Sequence, residues 1–238
     1  MEINILAFGA HPDDVEISCS GTLLKHIAMG KTVGIIDLTQ GELGTRGSAP
    51  LRLQEAEAAR QLLGVSIREN LAMLDGFFEV NQKNKLKVVE MIRKYRPQLV
   101  LANSIHDRHP DHGRASQLVS EACFLAGLPK VETALNGIAQ EAWRPSAVYH
   151  YIQDRYIRPD VVFDVTPFME KKIESIQAYS SQFFDPQSDA PETPISRSDF
   201  FDFLRSRAKE FGRPIGAEYG EGFTAERYVG AQSFFDLV

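Results

Sequence analysis

The chain has 238 residues, 43% of them hydrophobic and 24% charged, with a net charge of −6, the profile of an ordinary globular protein with one sizeable core. The acidic balance, with no Lys/Arg-rich block, excludes nucleic acid and anionic membrane surfaces as main partners. Two cysteines, Cys19 and Cys123, far apart and outside any CxxC spacing, exclude a disulfide framework and a thiolate metal site, so both are expected to pack as small apolar residues.

The first element is an apolar run, Ile3 to Gly9, that reads as a buried strand and ends in Ala10-His11-Pro12-Asp13-Asp14-Val15-Glu16. A helix is expected from about Ser20 to Met29 with Gly30 as its stop, then a second buried strand over Thr32 to Leu38. Gln40 to Pro50 reads as a loop, Leu51 to Leu63 as a helix ending at Gly64, and Leu71 to Leu74 as a weak strand. Leu86, Val89, Ile92 and Tyr95 mark one face of a further helix, and Pro97 introduces the strand Leu99 to Ala102. His109-Pro110-Asp111-His112 follows that strand and opens a helix whose apolar face is Ala115, Leu118, Val119, Ala122, Cys123 and Ala126.

Beyond Gly127 the pattern is less regular. Val148 to Ile152 and Val161 to Val165 read as strands, with Pro167 at a first helical position and Phe168, Ile173 and Ile176 facing the core. Residues 185–194, with three prolines, read as a long loop, a lid or a subunit contact. Phe200, Phe203, Leu204, Ala208 and Phe211 form an apolar helix face of core or oligomer type, followed by the glycine-rich stretch Gly212 to Gly222. The β-α alternation predicts an α/β, Rossmann-like fold whose mostly parallel sheet is covered by helices on both faces. One domain, 1–238, is expected: a Rossmann-like core over 1–127, completed by 128–238.

The chemistry sits at two strand ends. A lone His-Pro-Asp reads as a loop that caps a helix, but here it occurs twice, and parallel strands open their loops on one side of the sheet. His11, Asp14 and His112 together offer two imidazoles and a carboxylate, the open ligand set of a catalytic zinc. The same set serves iron(II) in oxygenases. Hydrolysis is favoured because Asp13, adjacent to Asp14, stays free as general base toward water at the metal, while His109 and Asp111 add a second acid/base pair suited to an oxyanion.

At these residues the sequence resembles the zinc-dependent deacetylases of N-acetylglucosamine derivatives, the LmbE-like or PIG-L superfamily, whose hallmark is an AHPDDxE turn and a downstream HPDH. The resemblance implies that His11, Asp14 and His112 bind zinc, with other divalent ions such as Fe2+ as alternatives, and that Asp13 is the general base. It implies that His109 polarises the carbonyl, with Asp111 as its orienting partner. Tyr179-Ser180-Ser181-Gln182-Phe183 and Tyr219-Gly220-Glu221-Gly222-Phe223 add likeness to the deacetylases of bacillithiol biosynthesis, which act on N-acetylglucosaminyl malate. Chitooligosaccharide and mycothiol-type members share much of the site. Family members form trimers or hexamers, so a homo-oligomer is implied.

Four residues are candidates for substrate contacts: Glu42 and Asp75 for sugar hydroxyls, Arg52 and Arg108 as a carboxylate clamp. His26 and His106 read as packed or surface residues, and Glu16 as either orienting the first loop or favouring a helix start. His150 alternates within a strand, which leaves open whether it faces the site. Two other classes stand beside the hydrolase: a nucleotide-binding module, weakened by the lack of GxGxxG and GxxxxGK[ST], and a non-catalytic sugar- or metal-binding protein. No signal-type leader and no bilayer-length apolar stretch is present, which makes a reducing cytoplasm the expected compartment.

Overall fold

A computed structural model describes residues 2–183 and 189–237 of the chain. Its elements are, in order, β1 (Ile5–Gly9), α1 (Asp14–Ala28), β2 (Val33–Thr39), α2 (Ala49–Leu63), β3 (Ile67–Met73), α3 (Gln82–Tyr95), β4 (Leu99–Ala102), α4 (Pro110–Ala126), the small hairpin β5 (Ala134–Leu135) and β6 (Ile138–Ala139), β7 (Ala147–Tyr151), β8 (Val161–Asp164), α5 (Met169–Gln177), α6 (Phe200–Gly212) and β9 (Gly220–Ala225).

Seven strands form one sheet in the order β3-β2-β1-β4-β7-β9-β8. The pairs among β3, β2, β1, β4 and β7 are all parallel, and β9 runs antiparallel to both β7 and β8. The chain moves outward in one direction from β1 to β3 and in the other from β4 onward. The gap between β1 and β4 is therefore the switch point beyond which open α/β sheets bind ligands.

Alternation along β1 explains how one strand feeds two cores. Leu6 and Phe8 face one side with α3 and α4, against Val89, Ile92, Leu118 and Val119, while Ile5 and Ala7 face the other with Val15, Cys19 and Leu23 of α1. Leu6 and Phe8 are 0% exposed, and burial of each contributes about 1.5–3 kcal/mol. A third cluster joins Ile17 of α1 and Ala59 of α2 to Ile173 and Ile176 of α5 and to Leu204 and Ala208 of α6. Helices thus cover both faces, as the alternation predicts. Cys19 and Cys123 are buried and free.

Three boundaries differ from the sequence expectation. α1 starts at Asp14 rather than Ser20, so the first motif is itself the entry to the helix. Every residue from Asp14 to Leu24 is buried, including Glu16, Ser18 and Ser20, which erases the polar face that periodicity needs. β3 begins at Ile67 rather than Leu71; its polar Arg68 is turned inward onto Asp37 at 2.7 Å and onto Glu16. The glycine-rich stretch 212–222 ends in a central strand, β9, whose Glu221 accepts the Gly21 and Thr22 N–H groups of α1 and pairs with Lys172 of α5. Of the expected loop 185–194, residues 185–188 lie outside the described residues, and 189–194 hold no helix or strand. Among the described residues no helix is long and apolar enough to cross a membrane.

Candidate active site

β1 and β4 end side by side, and their two loops meet over the switch point. His11, Pro12 and Asp13 make the turn from β1 into α1, with Asp13 at φ 118°, a backbone region a non-glycine residue occupies only under constraint. On the other side His109 is the N-cap residue of α4, and Pro110 fills the first helical position, where its missing N–H costs nothing. The helix start then points Asp111 and His112 back toward β1.

Asp14 stands at the centre. Its Oδ1 lies 3.1 Å from His112 Nε2 and its Oδ2 lies 3.5 Å from His11 Nδ1. The same carboxylate accepts hydrogen bonds from the His11 N–H (3.0 Å), the Asn103 amide (3.0 Å) and the Gln153 amide (2.8 Å). Behind His112, Asp107 Oδ2 sits 2.5 Å from Nδ1 and so turns Nε2 toward Asp14. Asp107 is in turn fixed by the backbone N–H groups of Arg108, Asp154 and Arg155. This is the carboxylate–histidine arrangement that orients metal ligands.

The far nitrogen of His11 meets two more carboxylates, Asp75 Oδ1 at 3.1 Å and Asp111 Oδ2 at 3.3 Å. Asp75 also takes the Leu43 N–H, and Asp111 takes the Gly76 N–H and pairs with Arg114. Two donor groups therefore share His11: the imidazoles of His11, His109 and His112, and the set His11, Asp75 and Asp111. Five acidic side chains, Asp13, Asp14, Asp75, Asp107 and Asp111, crowd around two buried imidazoles. Arg52 pairs with Asp13 and Arg114 with Asp111, which leaves three carboxylates around the two imidazoles, and the N, N, O donors of His11, Asp14 and His112 fit a divalent metal.

The same crowding sets the protonation of these groups. Burial opposes charge on His112, but Asp14 and Asp107 on its two nitrogens outweigh it and push the imidazole up to about 9. His11 is also raised, with burial outweighed by Asp111, Asp14 and Asp75. Asp13 is raised to about 7 by burial, with Arg52 lowering it and Asp14 raising it. Burial and the two neighbouring imidazoles depress His109.

The structure changes three expected roles, that of Asp111 implied by the resemblance and those of Glu42 and Arg52 taken from their positions in the chain. Asp111 does not orient His109 through its carboxylate, which is spent on His11, Gly76 and Arg114; instead its backbone N–H donates to His109 Nδ1 at 3.2 Å. With Nδ1 an acceptor, the neutral ring carries its hydrogen on Nε2. Glu42 is exposed and turned to the Gln40 and Asp75 N–H groups, outside the cleft. Arg52 is buried at the cleft wall with Nη2 bonded to Asp13 Oδ2 at 3.2 Å and to Gln182, which turns it onto its protein partners rather than out toward a substrate carboxylate. Gly41, at φ 64°, makes this reach possible: a Cβ there would collide with the Arg52 guanidinium.

A cleft of about 420 Å³ lies over these groups, lined by His11, Asp13, Asp75, Arg108, His109 and Gln153 among others, a size suited to one small-molecule unit. Arg108 is at its mouth, half exposed, with Nε 3.0 Å from Asp154. Glu16 is buried against Arg68 and the Tyr179 hydroxyl, below the turn. His26 packs edge-on against Phe163, and His106 is exposed beside Arg155. Asp107, Asn103 and Gln153 belong to the site without having been singled out by the motifs; the one available signal was that Asp107 and Asn103 fall between a strand end and the HPDH turn.

Comparison with known proteins gives the chain a family. Residues 6–123 match the family described as PIG-L, GlcNAc-PI de-N-acetylase. The diacetylchitobiose deacetylase of Thermococcus kodakarensis is 28% identical over 228 residues, 92% of this chain and 81% of that protein. The probable N-acetyl-alpha-D-glucosaminyl L-malate deacetylase 2 of Bacillus anthracis is 26% identical over 195 residues, 76% of this chain and 82% of that protein. Among solved structures, the conserved protein TT1542 from Thermus thermophilus superposes with a TM-score of 0.85 at 30% identity, covering 96% of this chain and 97% of the other. The chain belongs to the PIG-L family of deacetylases, with the LmbE-like α/β fold.

Proposed function

We propose that this protein is a zinc-dependent hydrolase that removes the N-acetyl group of an N-acetylglucosamine conjugate. The observation that supports it most is the division of labour between neighbours: Asp14 is surrounded by His11 and His112, while Asp13 faces the cleft beside Arg52. His11, Asp14 and His112 would hold the metal, which supplies Lewis acidity toward the amide oxygen and makes water more acidic. Asp13, raised to about 7, takes the proton of the attacking water and delivers it to the leaving amine. Neutral His109 presents its Nε2 hydrogen to the oxyanion as the carbonyl becomes tetrahedral. Arg52 keeps Asp13 aimed into the cleft.

N-acetylglucosaminyl malate is the conjugate favoured first, on the likeness to the malate-conjugate deacetylase and on Arg108 at the mouth, which can exchange Asp154 for an aglycone carboxylate. A chitobiose-type disaccharide is the second reading, supported by the longer match to a diacetylchitobiose deacetylase and by the commitment of Arg52 to Asp13. A homo-oligomer, trimeric or hexameric, belongs to the same proposal and is supported by exposed Phe203, Tyr228, Phe234 and Phe235. Two buried free thiols fit a reducing cytoplasm. Asp13→Asn tests the assignment of the base: metal bound as in the wild type, with acetate release reduced at least about 100-fold. Full turnover in that variant would refute it.

A further inference from the structure

We propose that His150 is a positioning residue for the metal site, tying the end of β4 to α4 and so setting Asp14 against His112 through Asn103. The inference rests on the proposed function only in taking Asp14 and His112 as ligands.

His150 pairs with Ala102 in the β4–β7 register, which sets it next to Asn103. It is 3% exposed and does not line the cleft. Its neighbours Tyr149 and Tyr151 point to the α1 side of the sheet, so His150 points to the opposite side, under α4. There Nδ1 lies 2.9 Å from both the Asn103 carbonyl and Ser116 Oγ, and Nε2 lies 2.9 Å from Glu226 Oε1. Ser116 is one turn beyond His112 on the same helix, so one imidazole grips both the helix that carries His112 and the strand end that carries Asn103.

Asn103 is where this grip reaches Asp14. Its side chain donates to Asp14 Oδ2 at 3.0 Å, yet its own Oδ1 is buried with no hydrogen-bond partner. A single bond does not fix an amide, and carboxylate Oδ2 only accepts, so the orientation of Asn103 must come from its backbone. A carbonyl accepts, hence His150 Nδ1 carries the hydrogen that holds it. The remaining nitrogen faces Glu226 Oε1 on the last strand's extension, a carboxylate oxygen that also only accepts, so the ring donates at both nitrogens and is kept from turning.

The test is metal affinity, measured by chelator competition with zinc, together with the visible spectrum of the cobalt(II)-loaded protein. Asp14→Ala, which removes a ligand outright, establishes the site: unchanged affinity there would overturn the ligand assignment and this inference with it. Given that loss, His150→Phe is expected to lower affinity about 10-fold and shift the cobalt bands. His150→Asn, whose amide can stand where Nδ1 stands, is expected to restore both. His150→Gln, which reaches Glu226 but not Asn103, is expected to behave like Phe. Asn103→Ala should cause the same loss, and its combination with His150→Phe no more than either alone. Wild-type affinity and spectrum in His150→Phe, equal behaviour of Asn and Gln, or additive losses with Asn103→Ala would each overturn the proposal.

Discussion

Arg52 Nη2 stands 3.2 Å from Asp13 Oδ2, both side chains nearly fully buried, and this pair turns a residue expected to clamp substrate onto the carboxylate proposed as general base. Arg52 lowers a carboxyl that burial has raised to about 7. The basic form of Asp13 exists above that value and is lost as pH falls through it. Removing the guanidinium moves the value up. Arg52→Met is therefore expected to shift the acid limb of the kcat/KM profile to higher pH and to lower activity at neutral pH about 10-fold, with less effect at high pH. A pH–rate profile checks this; a uniform loss across pH would assign Arg52 to substrate binding instead.

Asp107 holds His112 from behind at 2.5 Å. Asp107→Asn leaves the backbone contacts a partner but removes the charge that favours a ligating imidazole. Zinc affinity by chelator competition is expected to fall roughly 10–100-fold. An affinity equal to that of the wild type would mean that His112 needs no such support.

Arg68 separates two buried carboxylates, Asp37 and Glu16, beneath the first motif. Burial raises Asp37 even with Arg68 beside it. Arg68→Met fills the space but leaves both acids without their cation, and it is expected to cost about 3–5 kcal/mol of stability. Denaturant unfolding of the metal-free protein measures it. A loss below about 1 kcal/mol would show that the acids find protons or other partners freely.

The parts of the fold that depend on local pattern were legible, and those that depend on distant partners were not. β1 and β2 announce themselves because their residues are all buried and, save Asp37 and Thr39, form apolar runs bounded by turns. The start of α1 was hidden because Asp14, Glu16, Ser18 and Ser20 are as buried as its leucines. β3 was hidden because Arg68, Glu69 and Asn70 satisfy themselves on Asp37, Lys94 and Thr39 rather than on solvent. β9 gains its place only by pairing with strands about 70 residues upstream, which no local signal encodes.

The same division holds within the site. His11, Asp14, His109 and His112 come from two motifs whose spacing relative to the strand ends is visible in the chain. Glu42 and Arg52 lie in the right loop region, but their directions were set by Asp75, Gly41 and Gln182, which the chain does not reveal in advance. Asp111 kept its place and changed its partner, because the helix start that it opens points its N–H, not its carboxylate, at His109.

The most direct measurement of the central claim is acetate release by the purified protein from a panel of N-acetylglucosamine conjugates, with N-acetylglucosaminyl malate and diacetylchitobiose among them. The account predicts acetate and free amine in equal amounts from at least one conjugate, abolished by a chelator and restored by zinc. No acetate from any conjugate by the zinc-loaded protein, or full release from the metal-free protein, would contradict it.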